Sequence, residues 1–205
     1  LIAIVRDNIP LISVHLRSDP GARFAHVRIS QFYPNTPDAL RETILKAVAE
    51  GAEGIILDVR DNDGGTLDSV VSIASLFLSP EDELVLYVEK GDGARTNWQV
   101  RPEMQIAEEI PMVLLINARS ASSSEVLAGA LQDHGRATII GETSFGKGSV
   151  NIMRPLSNGG GLYITIAHWH TPTGRVIHGE GIAPDIEITH RDSRCLLYTS
   201  DAADE

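Results

Sequence analysis

Three short stretches carry residue types that do covalent chemistry when a fold brings them together. Ser120-Ala-Ser-Ser-Ser-Glu125 places four serines in five positions ahead of a run that reads as a helix. Gly141-Glu-Thr-Ser-Phe-Gly-Lys-Gly-Ser149 holds Lys147 between two glycines, and Asp58-Val-Arg-Asp-Asn-Asp-Gly-Gly65 ends in a glycine pair. A serine hydroxyl is a weak nucleophile until a base takes its proton. A lysine amine becomes that base when burial lowers its pKa from about 10.4 towards about 7 to 8. Such a shift asks for roughly 3 to 5 kcal/mol in favour of the neutral amine, and desolvation in an apolar cleft supplies it. Paired glycines let backbone amides turn into a cleft, as stabilising an oxyanion requires. The chemistry in view is acyl transfer through a serine.

Each stretch also has a plain structural explanation. Ser122 and Glu125 have the Ser-x-x-Glu spacing of a capping box, which by itself accounts for both at a helix start. A glycine pair is an ordinary turn, and a lysine in a turn is ordinarily solvated. A phosphate loop would need Ser or Thr directly after Lys147, where Gly148 stands. The Gly-x-Ser-x-Gly elbow is absent. His168 and His170 flank Trp169 at strand spacing and share a face, but no third ligand is indicated, so they read as surface or core histidines. No metal and no cofactor is expected. His134 closes a helix and serves its C-terminus. A Ser-His-Asp arrangement using His134 or His178 ranks below the lysine mechanism, because neither lies in a turn paired with a serine-bearing one.

Chemistry of this kind needs a scaffold. Residues 24–29 alternate as a strand. Asn35-Thr-Pro-Asp opens a helix whose apolar stripe is Leu40, Ile44, Leu45 and Val48, ending at Gly51. A continuously apolar strand follows at 54–59, then a helix from about 66 to 78 stopped by Pro80, and a strand at 84–88. The polar stretch 89–110 reads as an excursion outside the core. A buried strand at 111–117, a helix at about 122–134 and a strand at 137–141 come next, and Gly159-Gly160-Gly161 turns a hairpin. Three strand–helix–strand units predict an α/β fold with a largely parallel sheet. In such sheets ligands gather at the carboxyl ends of strands, where all three chemical stretches fall.

Composition bounds the partners. The 205 residues are 42 % hydrophobic and 22 % charged, enough for one sizeable core. Seventeen Lys+Arg against 28 Asp+Glu give a net charge of −11, which argues against a nucleic-acid partner. The longest apolar runs fall far short of the roughly 20 residues needed to span a bilayer. A single cysteine, Cys195, excludes an internal disulfide and leaves the compartment unread. Oligomeric state is not legible.

From about Ser13 to Ile188 the chain resembles the C-terminal processing peptidases, or tail-specific proteases. The resemblance rests on four ordered motifs: Gly54-Ile-Ile-Leu-Asp-Val-Arg-Asp-Asn-Asp-Gly-Gly, Ser120-Ala-Ser-Ser-Ser-Glu-Val-Leu-Ala-Gly-Ala-Leu-Gln-Asp, Gly141-Glu-Thr-Ser-Phe-Gly-Lys-Gly-Ser-Val, and Thr171-Pro-Thr-Gly-Arg followed by Gly181-Ile-Ala-Pro-Asp. It implies a crotonase-like or Clp-protease-like core, a mostly parallel sheet flanked by helices plus hairpin and edge strands. It implies a serine endopeptidase acting on polypeptides near their C-termini, with Ser122 as nucleophile and Lys147 as general base. The oxyanion amides would be those of Gly65, with Gly64 the alternative, and Ser123. Asn151 stands where a glutamine normally orients the lysine, one methylene shorter. The resemblance further implies a PDZ domain ahead of the core, its end and linker at 1–14, the core at 15–194, and a bacterial periplasmic or envelope location. Residues 195–205 resemble a translated sequencing adapter and are expected to be no part of the native protein. Two other readings stay open: a catalytically silent peptide-binding relative, motivated by Asn151, and a crotonase-like acyl-thioester enzyme, which needs no serine–lysine pair.

Overall fold

The computed structural model describes residues 11–106 and 109–188. Ten strands and three α-helices follow one another as β1 Val14–Leu16, β2 Phe24–Ile29, α1 Thr36–Ala49, β3 Gly54–Asp58, α2 Leu67–Ser75, β4 Leu84–Lys90, β5 Arg95–Gln99, β6 Met112–Ile116, α3 Ser123–Asp133, β7 Thr138–Gly141, β8 Ser149–Pro155, β9 Gly161–His170 and β10 Ile186–Glu187.

Six strands form one sheet in the order β1-β2-β3-β6-β7-β10. All neighbours are parallel except β1, which runs antiparallel to β2 at the edge. Ile55, Leu57, Leu114, Ile116 and Ile139 on the central strands are buried, as strands covered by helices must be. Helix α2 is buried from Ser69 to its end and packs against both α1 and α3. Its start is fixed by Thr66, whose hydroxyl accepts the Ser69 N–H. Helix α1 buries Leu40, Ile44 and Ala47, an i, i+4, i+7 stripe. Leu45 and Val48 were expected on that stripe and are exposed: Leu45 lies roughly 100° round the helix from Ile44, and Val48 sits at the stripe's margin in the last turn.

The second sheet is antiparallel, in the order β5-β4-β9-β8. Two sequence expectations change here. The 84–88 strand does not join the parallel sheet, where β3 pairs with β6 instead; β4 crosses over to pair with β5 and β9. The 89–110 stretch is not wholly outside the core, since it contains β5, buries Val100 and packs Trp98, Met104 and Ile106 against the core. The expected hairpin is β8 and β9, registered from Ser149↔His168 to Pro155↔Gly161. The expected PDZ remnant at 1–14 lies outside the described residues except for 11–14, where Val14 opens β1; the adapter-like tail at 195–205 lies outside them entirely.

Candidate active site

Strands β3, β6 and β7 are consecutive in the parallel sheet, so the turns at their carboxyl ends meet. The first turn runs from Val59 to Thr66, the second from Asn117 to Ser122, and the third from Gly141 to Gly148. The close approach of the last two is built into Gly141, where a Cβ would stand 2.0 Å from the Ile116 carbonyl oxygen.

The serines divide by what they bind. Ser120 Oγ donates to the Val59 carbonyl (2.8 Å), Ser124 Oγ to that of Asn62 (2.9 Å) and Ser123 Oγ to that of Gly65 (3.2 Å). The three hydroxyls thus fasten the second turn and the start of α3 to the first turn. Ser122 takes no part in that fastening. It caps α3, is 92 % covered, and holds φ 59° and ψ −117°, a left-handed conformation that costs on the order of 1–3 kcal/mol in a residue with a Cβ. Such strain persists only where surrounding contacts enforce it.

Glu125 supplies the enforcement. Its side chain is fully buried. Oε2 accepts the Ser122 N–H and the Lys147 N–H, each at 2.8 Å; Oε1 accepts the Gly146 N–H at 2.6 Å and the Ser144 hydroxyl at 2.7 Å. One oxygen therefore bridges the backbones of the serine turn and the lysine turn. The sequence reading treated Glu125 only as half of a capping box, and that half forms. Its second role reaches 22 residues along the chain, where no local spacing could announce it.

The glycine pair closes on the same place. A Cβ on Gly64 would stand 2.7 Å from Ser122 Cβ and 2.9 Å from Ser123 N, at φ 106°, so only glycine fits. The Gly64 N–H is spent on Asn62 Oδ1 at 2.9 Å. The Gly65 N–H donates to none of the described groups, and the Ser123 N–H is one of the unpaired donors of the first turn of α3. Gly65 and Ser123 accordingly keep amides without a described acceptor, and Gly64 does not.

Two predicted site residues differ from expectation. Asn151 does not turn towards Lys147: its amide donates to Ser149 Oγ (2.9 Å) and its carbonyl accepts the Thr165 hydroxyl (2.7 Å). Being one methylene shorter than glutamine, it bonds within the β8–β9 hairpin. Lys147 is exposed, and the apolar enclosure expected around its amine is not built by the described residues. The lysine turn is held instead from beneath, by Glu125, by Gly179 N–H on the Gly146 carbonyl (2.9 Å), and by Ser144, whose hydroxyl also accepts the Ile182 N–H (2.7 Å).

A further ionic group was missed in the sequence. Asp58, buried at the end of β3, accepts the Arg60 N–H, Nε and Nη2 at 3.0, 2.9 and 2.7 Å and contacts His26 Nε2 at 3.2 Å. Burial works to raise its pKa, but the Arg60 hydrogen bonds and charge and the His26 bond outweigh it and hold the carboxyl below its usual range. The signal was an aspartate inside an apolar strand, since a buried charge requires partners. The histidines are engaged elsewhere. His134 Nε2 meets the Leu84 carbonyl and Nδ1 faces Asp82, and His178 packs on His168, so neither histidine forms a described contact with a serine.

Comparison with known proteins gives a consistent answer. Residues 23–188 match the model of peptidase family S41. A carboxyl-terminal-processing protease of Synechocystis sp. is 40 % identical over 168 residues, covering 82 % of this chain and 38 % of the relative. A carboxy-terminal-processing protease of Bartonella bacilliformis is 40 % identical over 194 residues, covering 91 % of this chain and 43 % of the relative. Among solved structures, the photosystem II D1 C-terminal processing protease superposes with a TM-score of 0.78 at 31 % identity, over 90 % of this chain and 50 % of that one. The chain spans about two-fifths of the length of these curated relatives. Matched across most of its length, with its serine, lysine and glycine turns gathered at one sheet edge, the chain belongs to peptidase family S41.

Proposed function

We propose that this chain is the catalytic core of a serine endopeptidase of the C-terminal processing type, working by a serine–lysine dyad on polypeptide substrates. The observation that carries the reading is the Glu125 carboxylate, whose Oε2 holds the amides of Ser122 and Lys147 at once. In the mechanism, Ser122 Oγ attacks the scissile carbonyl carbon while the neutral Lys147 amine accepts the hydroxyl proton. The carbonyl oxygen becomes an oxyanion and is met by the Gly65 and Ser123 N–H groups. The C–N bond breaks, Lys147 returns the proton to the leaving amine, and an acyl-enzyme remains. Water then attacks the ester, again giving its proton to Lys147, and Ser122 is released as the alcohol.

Solvent around an exposed amine favours its charged form, so cover for Lys147 has to arrive with the substrate or from residues outside 11–188. Asn151 plays no part in aiming the lysine on this reading; the amides of Gly146 and Lys147 on Glu125 do that. The same two features, an exposed lysine and a diverted amide, favour a silent peptide-binding relative as the second reading. A PDZ module that captures substrate tails and a periplasmic or envelope location complete the proposal, both on family resemblance.

Incubating the protein with an unstructured polypeptide and following fragments by mass spectrometry separates the readings. Ser122→Ala and Lys147→Ala should each lower cleavage by about 10³-fold or more with folding intact. Undiminished cleavage by Ser122→Ala refutes the nucleophile assignment, and no cleavage by the parent supports the silent binder.

A further inference from the structure

The histidines of β9 part company. Alternation puts His168 and His170 on one face, yet His170 stacks on Tyr87, with centroids 4.7 Å apart and 3° between ring planes. His168 instead meets His178 from the following loop, with centroids 5.0 Å apart and a 48° tilt. The described ring hydrogen bonds belong to His26 and His134, not to this pair. His178 is exposed and His168 half-exposed, so solvent reaches both rings.

Neutral imidazole is the commonest nitrogen ligand for zinc. Zn–N bonds of about 2.0–2.1 Å at tetrahedral angles place the centres of two ligating rings about 5 Å apart. That is the spacing found, and a ligating ring is free to rotate about the metal–nitrogen bond, so the tilt is compatible. We infer that His168 and His178 form a site for a divalent transition-metal ion of the zinc type, with water completing the tetrahedron.

Glu89 stands opposite His168 across the β4–β9 ladder but is held by Arg95 Nε at 2.5 Å, which keeps it out of the ligand set. No group of three His, Cys, Asp or Glu side chains able to hold a metal exists among the described residues. The ion would therefore be exchangeable, in contrast to a closed structural zinc. Its place gives it a consequence. Gly148 lies between the two histidine-bearing segments: its carbonyl accepts the Trp169 N–H at 2.7 Å, and a Cβ there would stand 2.3 Å from His178 N. Ser149 faces His168 directly in register. A bound ion would clamp β9 to the 171–182 loop across the residue next to Lys147, restraining the lysine turn. The binding itself is independent of the serine–lysine mechanism.

The test titrates ZnCl₂ into the full 205-residue chain carrying Cys195→Ser, so that no thiol competes, and reads heat by calorimetry and the shift in melting temperature. The site predicts one ion per chain at micromolar concentration, weakened at least about tenfold by either His168→Gln or His178→Gln and unchanged by His170→Gln. Equal affinity in the double variant, or no heat and no melting shift at ~100 μM zinc, overturns it. A second measurement needs no substitution at the site: Co²⁺ should perturb the imidazole NMR signals of His168 and His178 first, and uniform perturbation of all seven histidines also overturns it.

Discussion

A carboxylate offers lone pairs on two oxygens and no proton, so a buried one is stable where donors converge on it. Four donors converge on Glu125, one from the serine turn and three from the lysine turn. Glu125→Gln keeps the shape but points an NH₂ at donors on one side. One orientation of the amide breaks the bonds to Ser122 and Lys147; the other breaks the bond to Gly146, while the Ser144 hydroxyl turns to accept from the NH₂. Bonds to a charged group are worth roughly 1.5–3 kcal/mol each, so a loss of about 2 kcal/mol or more is expected in urea denaturation. Turnover should fall by about 100-fold with KM little changed, because the proposed dyad would be misaligned rather than the substrate released. Full activity in a Glu125→Gln protein that melts normally would remove the bridge from the mechanism. At this scale the sequence disclosed residue types and local spacing: Ser122 and Glu125 were legible as a pair, and Gly64-Gly65 was legible as a turn that lets backbone amides face a cleft. What Glu125 does for Lys147 was not legible, because that contact exists only once β6 and β7 lie side by side.

The elements were legible where periodicity and punctuation agree. Helix α1 begins near Asn35 and Pro37 and ends before Gly51, and β3 and β6 are the continuous apolar runs expected of buried parallel strands. Sheet membership was not legible for β4, since a short apolar run does not name its partner and the partner, β9, lies some eighty residues onward. The turn after β3 depends on Asp58, which the strand delivers to the sheet edge and Arg60 neutralises. With a pKa lower in the folded state than in the unfolded chain, Asp58 contributes stability above about pH 3.9, the usual unfolded value, and loses it as the pH falls through the folded value. Part of the Arg60 side chain is open to water, so the gain is modest. Asp58→Asn should destabilise the protein at pH 7 and flatten the loss of stability as the pH falls below about 3.9, measured as urea midpoints. A variant with the wild-type acid profile would show that Asp58 is not the group being titrated.

Across the whole molecule the β8–β9 hairpin is the part least accounted for by its own contacts. Met153 and Tyr163, paired across the strands, are 65 % and 68 % exposed, while Ile152 and Ile164 are exposed on the opposite face. A two-stranded ribbon is marginally stable in water, and apolar side chains on both faces require cover on both. That cover has to come from outside residues 11–188, or from a second copy. The ribbon begins two residues after Lys147, so whatever covers its base also approaches the exposed amine, which links the cover that the proposed dyad needs to the uncovered strands. By itself the chain should self-associate as concentration rises. Met153→Glu combined with Tyr163→Lys places an ion pair at one cross-strand position without touching the buried core. Light scattering should then report less association, and the core should melt within about 1 kcal/mol of the parent, since surface substitutions of this kind are nearly neutral. Association that persists unchanged in this variant would assign the sticky surface to some other part of the molecule and sever the proposed connection between the ribbon and the lysine.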